Sequence, residues 1–295
     1  MDIEKIRRET PIKELANFGI INLDKPSGPT SRYVDVMIKE ALNKTGLIVS
    51  KASHFGTLDP MVTGVLPVAL GRACRLLEWF MHKDKTYVGV MKVHEKINEK
   101  VLRETIKGFI GVIEQLPPIR SNVKRRMRKR EIKSFEIIEI NHETNEALFL
   151  TRVEAGTYIR KLCHDIGLKK GIGGAHMTEL RRVEAGMFNE EKIVTMYEFM
   201  EAIKEYEEGR EEKLRSIITP AEVITKIMPS VEAKNDKSII KQLLTGKPLN
   251  LERIKQKKLP TEKYFSVFYY DNKEIFLGVY ERKNDKEARV KFVKN

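Results

Sequence analysis

SHFGTLDPMVTGVLPV, residues 53–68, sets one carboxylate, Asp59, between two glycines, Gly56 and Gly64, with Pro60 directly behind it. Proline fixes its own φ, removes a backbone donor and steers the residue before it away from the helical region. The stretch therefore reads as a fixed loop that presents one acid. An Asx-type turn is the commoner fate of Asp-Pro, and on spacing alone that reading stands beside the first.

Elements can be read outward from this loop. Residues 20–24 (IINLD) make a short buried strand and residues 25–29 (KPSGP) a turn. A helix follows with Thr30 or Ser31 as N-cap. Its apolar stripe is Val34, Met37, Ile38, Ala41 and Leu42, and Gly46 ends it. Residues 85–93 and 132–140 read as strands, and residues 147–153 pair with the latter through a turn at 142–145. Val101, Leu102, Thr105, Ile106 and Phe109 mark one amphipathic helix. Ile159, Leu162, Cys163 and Ile166 mark another, beginning near Thr157. Thr195-x-x-Glu198 and Thr219-Pro220-Ala221-Glu222 both read as capping boxes.

Met228-Pro229-Ser230 is the expected domain boundary. Beyond it lie one helix (Ile239, Ile240, Leu243, Leu244, closed by Gly246) and strands at 264–270, 275–281 and 287–293, the pattern of a small β-barrel. Strands and helices of residues 1–228 mix without strict βαβ alternation, so the fold class expected is α+β with a mixed sheet, followed by a small β domain at 229–295.

At 295 residues the chain exceeds what one core usually needs, and 41% hydrophobic residues suffice for a real one. No run of about 18 apolar residues is present, so no membrane span is expected. The N-terminal MDIEKIRRET has no apolar stretch of a secretory signal. Two cysteines, Cys74 and Cys163, exclude a disulfide scaffold or a four-cysteine zinc site and fit a reducing cytoplasm. Cys163-His164-Asp165 is no triad, because helical neighbours do not face one another. The glycine-rich residues 170–174 lack the strand and last glycine of a dinucleotide site. With no Walker loop and no zinc spacing either, no cofactor and no metal are expected.

The formal charge is +13, from 55 Lys and Arg against 42 Asp and Glu. It is unevenly spread. Residues 120–133 (RSNVKRRMRKREIK) hold eight basic groups and one acid, and residues 231–295 carry 16 basic and nine acidic groups. Eight like charges so close repel unless an anion is near, which points to a polyanionic partner. Taken alone, Arg160 reads as an ordinary solvated arginine on the polar face of its helix, and Tyr87 as a core aromatic of an alternating strand.

Several separated motifs nevertheless agree. INLDKPSGPTS (21–31), HFGTLDP (54–60) with TGVL (63–66), KTY (85–87), GTYIR (156–160) and GAHMTELRR (174–182) resemble the motifs of the TruB-type pseudouridine synthases. PPIRSNVKRR (117–126) resembles the dyskerin branch, the catalytic subunits of archaeal and eukaryotic H/ACA ribonucleoproteins, and residues 229–295 are similar to a PUA domain. Ser53 stands where the family usually has glycine. The resemblance implies an isomerase that turns uridine into pseudouridine, with Asp59, Tyr87 and Arg160 catalytic and His54, Leu180 and Tyr158 around the substrate. It implies a basic, thumb-like loop at about 116–131. RNA contacts would come from Arg120, Lys124, Arg125, Arg126, Arg128 and Lys129, and from Arg253, Lys255, Lys257 and Lys258 in the PUA-like module. Implied partners are substrate rRNA or tRNA, a guide RNA and the small core proteins of the H/ACA particle, in an archaeal cytoplasm. Two other readings stay open: a stand-alone synthase acting on the tRNA T-loop, and a non-catalytic RNA-binding scaffold on the same fold.

Overall fold

Strand residues 85–93 alternate strictly between inside and outside, whereas residues 63–70 are buried almost throughout. That difference says which strands have one covered face and which have two. The computed structural model describes residues 1–117 and 124–295. Helices α1 (Ile3–Glu9) and α2 (Ile12–Asn17), which the sequence reading passed over, lead into β1 (Gly19–Lys25) and α3 (Ser31–Lys44). Thr30 caps α3 through its hydroxyl, and Gly46, at φ +83°, closes it. Then come β2 (Ala52–His54), β3 (Thr63–Leu70), α4 (Leu77–Met81), β4 (Lys85–Val93), α5 (Glu99–Lys107), β5 (Gly111–Gln115), β6 (Arg128–Asn141), β7 (Glu146–Val153) and α6 (Ile159–Gly167). The large unit finishes with β8 (Ala175–Ala185), β9 (Phe188–Asn189), β10 (Val194–Thr195), α7 (Met196–Glu207), α8 (Glu212–Ile217) and β11 (Ile218–Pro220).

These strands form one mixed sheet in the order β10-β1-β3-β8-β4-β7-β6-β5, with β11, β2 and β9 pairing β1, β3 and β8. β3 runs parallel to β8, and β8 antiparallel to β4. Ile21, Leu23, Leu66 and Val68 face one core with helix residues Val34, Ile38, Leu162, Ile166 and Phe199. Ile20, Val65 and Ala69 face the opposite core with Phe55, Phe80 and Phe188. The class is α+β, as expected.

A second sheet is built from β12 (Ser230–Glu232), β13 (Leu249–Asn250), β14 (Tyr264–Asp271), β15 (Lys273–Arg282) and β16 (Glu287–Val293), in the order β12-β14-β15-β16-β13. Helix α9 (Lys237–Leu244) packs with it through Ile240 and Leu243. A bridge between Ala233 and Ile254 joins the two ends of the order, so the sheet curls shut. Phe276, Val279 and Phe292 of this unit share the second core of the large sheet, where Phe292 stacks on Phe18 at 5.7 Å. Among the described residues no helix is long and apolar enough to cross a membrane.

Three expectations are corrected. Thr219 does not open a capping box: it lies in β11, a 3-10 turn with no side-chain cap follows, and Glu222 is buried against Lys294 instead. Residues 63–68 are not loop but part of β3, so the loop carrying Asp59 ends near Val62. The basic loop expected at 116–131 is corrected at its downstream end, where Arg128 to Glu131 belong to β6 and pair with β5 from Gln115. Pairing backbone groups along a hairpin overrides the repulsion between its basic side chains. Arg120 lies outside the described residues.

Candidate active site

The register of three neighbouring strands fixes the site. Gly64 of β3 pairs with Arg182 of β8, which pairs with Tyr87 of β4. Two residues along the same β4–β8 pair, Leu180 faces Gly89. A Cβ at Gly89 would sit 2.6 Å from Phe149 and 2.8 Å from Leu180, so glycine is what allows Leu180 to settle there. Tyr87 and Leu180 are both buried.

The loop that holds Asp59 is gripped from every side. Lys25, at the end of β1, donates to the carbonyls of Pro26, Pro60 and Val62 at 2.8–2.9 Å. The Ser31 hydroxyl donates to the Leu58 carbonyl and accepts from the Leu58 amide, each at 2.9 Å. Arg182, wholly buried, donates to the carbonyls of Val65 (2.8 Å) and Gly56 (3.0 Å). Gly56 and Gly64 have φ +114° and +99°, and a Cβ at Gly64 would strike the Arg182 carbonyl. The fixed loop read from Gly-x-x-Asp-Pro is thus a physical object, not an isolated Asx turn.

Asp59 is 52% exposed and pairs with Arg160, which donates to it from Nη2 at 2.5 Å. Arg160 is the second residue of α6, where the positive helix end opposes a cation. A carboxylate at hydrogen-bond distance offsets that cost. Gln115, buried at the end of β5, donates to the Tyr158 carbonyl and accepts from the Tyr158 amide, pinning the start of α6. The chain thereby aims Arg160 at Asp59 across 101 residues of sequence. α6 begins two residues later than read, because Thr157 bonds back to the Glu154 carbonyl.

His54 is half-buried, with Nδ1 2.8 Å from Asp35 and Nε2 3.0 Å from Thr57. Both ring nitrogens are engaged within the protein. Lys85, two residues before Tyr87, is buried and donates to the carbonyls of Met81 and Lys83. Burial, with the Arg182 charge adding to it and Asp84 opposing, pushes its amine down to about 8. Burial likewise lowers the Lys25 amine, and the Asp59 charge works against that shift. Burial lowers the Arg182 guanidinium, with Tyr87 beside it favouring the charged form.

The basic residues are placed differently. Lys124, Arg125, Arg126 and Lys129 are exposed, and Arg128 is partly covered and donates to the Lys124 carbonyl. In the second sheet Lys257 and Lys258 are exposed, Lys255 pairs with Glu232, and Arg253 is tied to Pro248 and Gln242. Lys25, Ser31, Asp35, Lys85, Gln115 and Arg182 were given no role at the site from the sequence. For Lys85 a signal existed, since it falls in phase with Tyr87, Met91 and Val93 on the inner face of β4.

Comparison with known proteins agrees with this geometry. Residues 44–159 match the family described as TruB family pseudouridylate synthase (N terminal domain), and residues 160–226 the tRNA pseudouridylate synthase B C-terminal domain. The chain is 45% identical over 228 residues to a probable tRNA pseudouridine synthase B of Methanopyrus kandleri, covering 77% of this chain and 65% of that protein. It is 47% identical over 223 residues to a probable tRNA pseudouridine synthase B of Thermococcus gammatolerans, covering 75% and 64%. The matched stretch therefore spans less than two thirds of the length of these relatives. A chain in the crystal structure of a Cbf5-Nop10-Gar1 complex superposes with a TM-score of 0.84 at 36% identity, covering 98% of this chain and 88% of that one. A chain in an H/ACA RNP bound to a substrate RNA containing 2'-deoxyuridine gives 0.82 at 33%, covering 98% and 88%. With its Asp59 loop, its Arg160 partner and these relationships together, the chain belongs to the TruB family of pseudouridylate synthases.

Proposed function

We propose that this protein isomerises specific uridines of RNA to pseudouridine as the catalytic subunit of a guide-RNA ribonucleoprotein. The observation that carries the chemistry is the Asp59–Arg160 pair, on a loop held from β1, α3 and β8. The reaction breaks the N1–C1′ bond, turns the uracil and joins C5 to C1′, with no net redox change. Its demand is for a carboxylate at the sugar, as nucleophile at C1′ or base at C2′, and Asp59 is the acid that the loop presents. Arg160 holds that acid in place through its guanidinium hydrogen bond. Tyr87 and Leu180 supply the apolar floor and wall against which a base swung out of its helix packs, with Tyr158 at the edge.

The basic segment 124–129 and the exposed lysines of the curled sheet serve as the grips on RNA backbone, the second as a PUA-like module of residues 229–295. Guide dependence and small core-protein partners are supported by the likeness to chains of the Cbf5-Nop10-Gar1 complex and the H/ACA RNP, which runs over 98% of this chain and so includes the second sheet. Archaeal origin is supported by the relatives from Methanopyrus and Thermococcus, and a cytoplasmic site by two buried, unpaired cysteines. The relatives named tRNA pseudouridine synthase B favour a second reading, a stand-alone enzyme on tRNA. The two separate on one experiment: pseudouridine mapping after incubation with free tRNA, and with a guide RNA plus core proteins. Product only in the second arm supports the guide-dependent reading, and product on free tRNA alone the other.

Asp59→Asn keeps the size of the side chain and removes its charge. It is expected to abolish pseudouridine formation while RNA affinity stays within about twofold of wild type. Near-normal turnover by this variant would reject the assignment of Asp59. Loss of product from wild type in every arm would leave the scaffold reading.

A further inference from the structure

The first two turns of α3 hold the catalytic loop by two separate contacts. Ser31 binds both backbone groups of Leu58, and Asp35, one turn on, meets His54, whose far nitrogen meets Thr57. Thr57 and Leu58 are the two residues directly before Asp59. Asp35 lies in the buried stripe of its helix with Val34, Ile38 and Leu42 and is 2% exposed. A buried carboxylate is costly unless it is paired. Among the described residues its Oδ1 has no partner, and Arg32, 72% exposed, stands 3.9 Å from Oδ2, beyond hydrogen-bond distance. His54, at 2.8 Å, is therefore the hydrogen-bond partner for which this acid is buried. A carboxylate oxygen accepts from a ring N–H, and a His54 proton on Nδ1 leaves Nε2 to face the Thr57 hydroxyl.

We propose that Asp35 is a positioning residue for the reaction: it locks His54 with the proton on Nδ1, and His54 in turn holds Thr57 and so sets the Asp59 carboxylate. The Asp35–His54–Thr57 chain fixes the upstream side of the loop, while Lys25, through Pro60 and Val62, fixes the downstream side. Asp59 sits between the two clamps, half exposed and free to meet substrate. The kinetic part of this inference rests on the activity proposed above, whereas the placement of the proton on His54 does not.

The test has two readouts. In protein carrying 15N-labelled histidine, with the His54 signals assigned by their loss in His54→Gln, wild type is expected to show a protonated Nδ1 and, at alkaline pH, an unprotonated Nε2. Asp35→Ala is expected to move the proton to Nε2. Asp35→Asn should give a mixture, since an amide offers either oxygen or N–H to the ring. A wild-type His54 with its proton on Nε2 overturns the proposal, whatever the activity.

In single-turnover kinetics Asp35→Ala is expected to lower the rate about tenfold to a hundredfold with little change in RNA affinity, the scale of a displaced reacting group. The double variant Asp35→Ala with His54→Gln should be no slower than His54→Gln alone. Defects that multiply in the double variant, or a wild-type rate in Asp35→Ala, overturn it. Should Asp35→Ala fold poorly, Asp35→Leu, which offers the ring no acceptor and suits the apolar stripe of Val34, Ile38 and Leu42, carries the same comparison. If wild type forms no pseudouridine, the activity proposed above fails, and the proton on His54 still decides the role of Asp35.

Discussion

Lys85 is a residue whose cost can be measured directly. Burial and the neighbouring Arg182 lower its amine from the ordinary 10.5 to about 8. Between those values the unfolded chain holds a proton that the folded protein has released, so stability rises with pH across that window and the cost is fully present below it. Relative to Lys85→Met, wild type is expected to gain about 3 kcal/mol between pH 8 and 10.5, measured by denaturant unfolding at a series of pH values. A flat difference would mean that the amine keeps its proton in the folded state. Lys85 was legible in outline, being in phase with the inner face of β4, but what it does there was not. Its acceptors, the carbonyls of Met81 and Lys83, come from the last residue of α4 and the turn after it, and their direction is set by how that turn folds. Arg160 shows the same limit. Its position on the polar face could be read from the sequence, whereas its pairing with Asp59 depends on where β5 pins the start of α6.

Elements carry their own constraints. β4 is straddled by β8 and β7, and at Gly89 the side chains of Leu180 and Phe149 and the carbonyl of Glu179 converge on the space a methyl group would need. Gly89→Ala should therefore cost about 1–3 kcal/mol, the usual penalty of overpacking, visible as a lower unfolding midpoint with an unchanged slope. A neutral effect would mean that β4 and β8 separate freely. Helix α3 was read almost as it stands, because Thr30, the apolar stripe and Gly46 are local signals. The turn after β11 was misread for the opposite reason. Thr-Pro-Ala-Glu has the local chemistry of a capping box, but Glu222 is taken by Lys294, 72 residues away. Long-range pairing of a buried acid outweighs a cap of about 1 kcal/mol.

On the scale of the whole molecule, the second sheet is fastened to the first. Lys294 pairs with Glu222 and lies over the Phe18 ring, Arg72 donates to the Val293 carbonyl at 2.8 Å, and Phe276 and Phe292 stack with Phe18. The basic surface of the C-terminal unit thus keeps a fixed relation to the Asp59 loop. The other basic zone, next to β5 and β6, is a separate feature. Replacing Arg125, Arg126, Arg128 and Lys129 by glutamine should weaken RNA binding and reduce the slope of log affinity against log salt by about 3, the counterion release of four contacts. An unchanged slope would show that these groups serve solubility and touch no phosphate.

By itself the sequence determined the α+β class and most element positions, because hydrophobic period, caps and turn chemistry are local, and its motifs named Asp59, Tyr87 and Arg160 through the family resemblance they carry. Only the tertiary structure decided that Arg182 stands between Gly64 and Tyr87, that Gln115 aims α6, and that Asp35 sits behind His54. Those relations rest on strand register and on buried polar groups finding partners far along the chain. A buried donor or acceptor must be satisfied by whatever the fold brings to it, and that partner is not written beside it in the sequence.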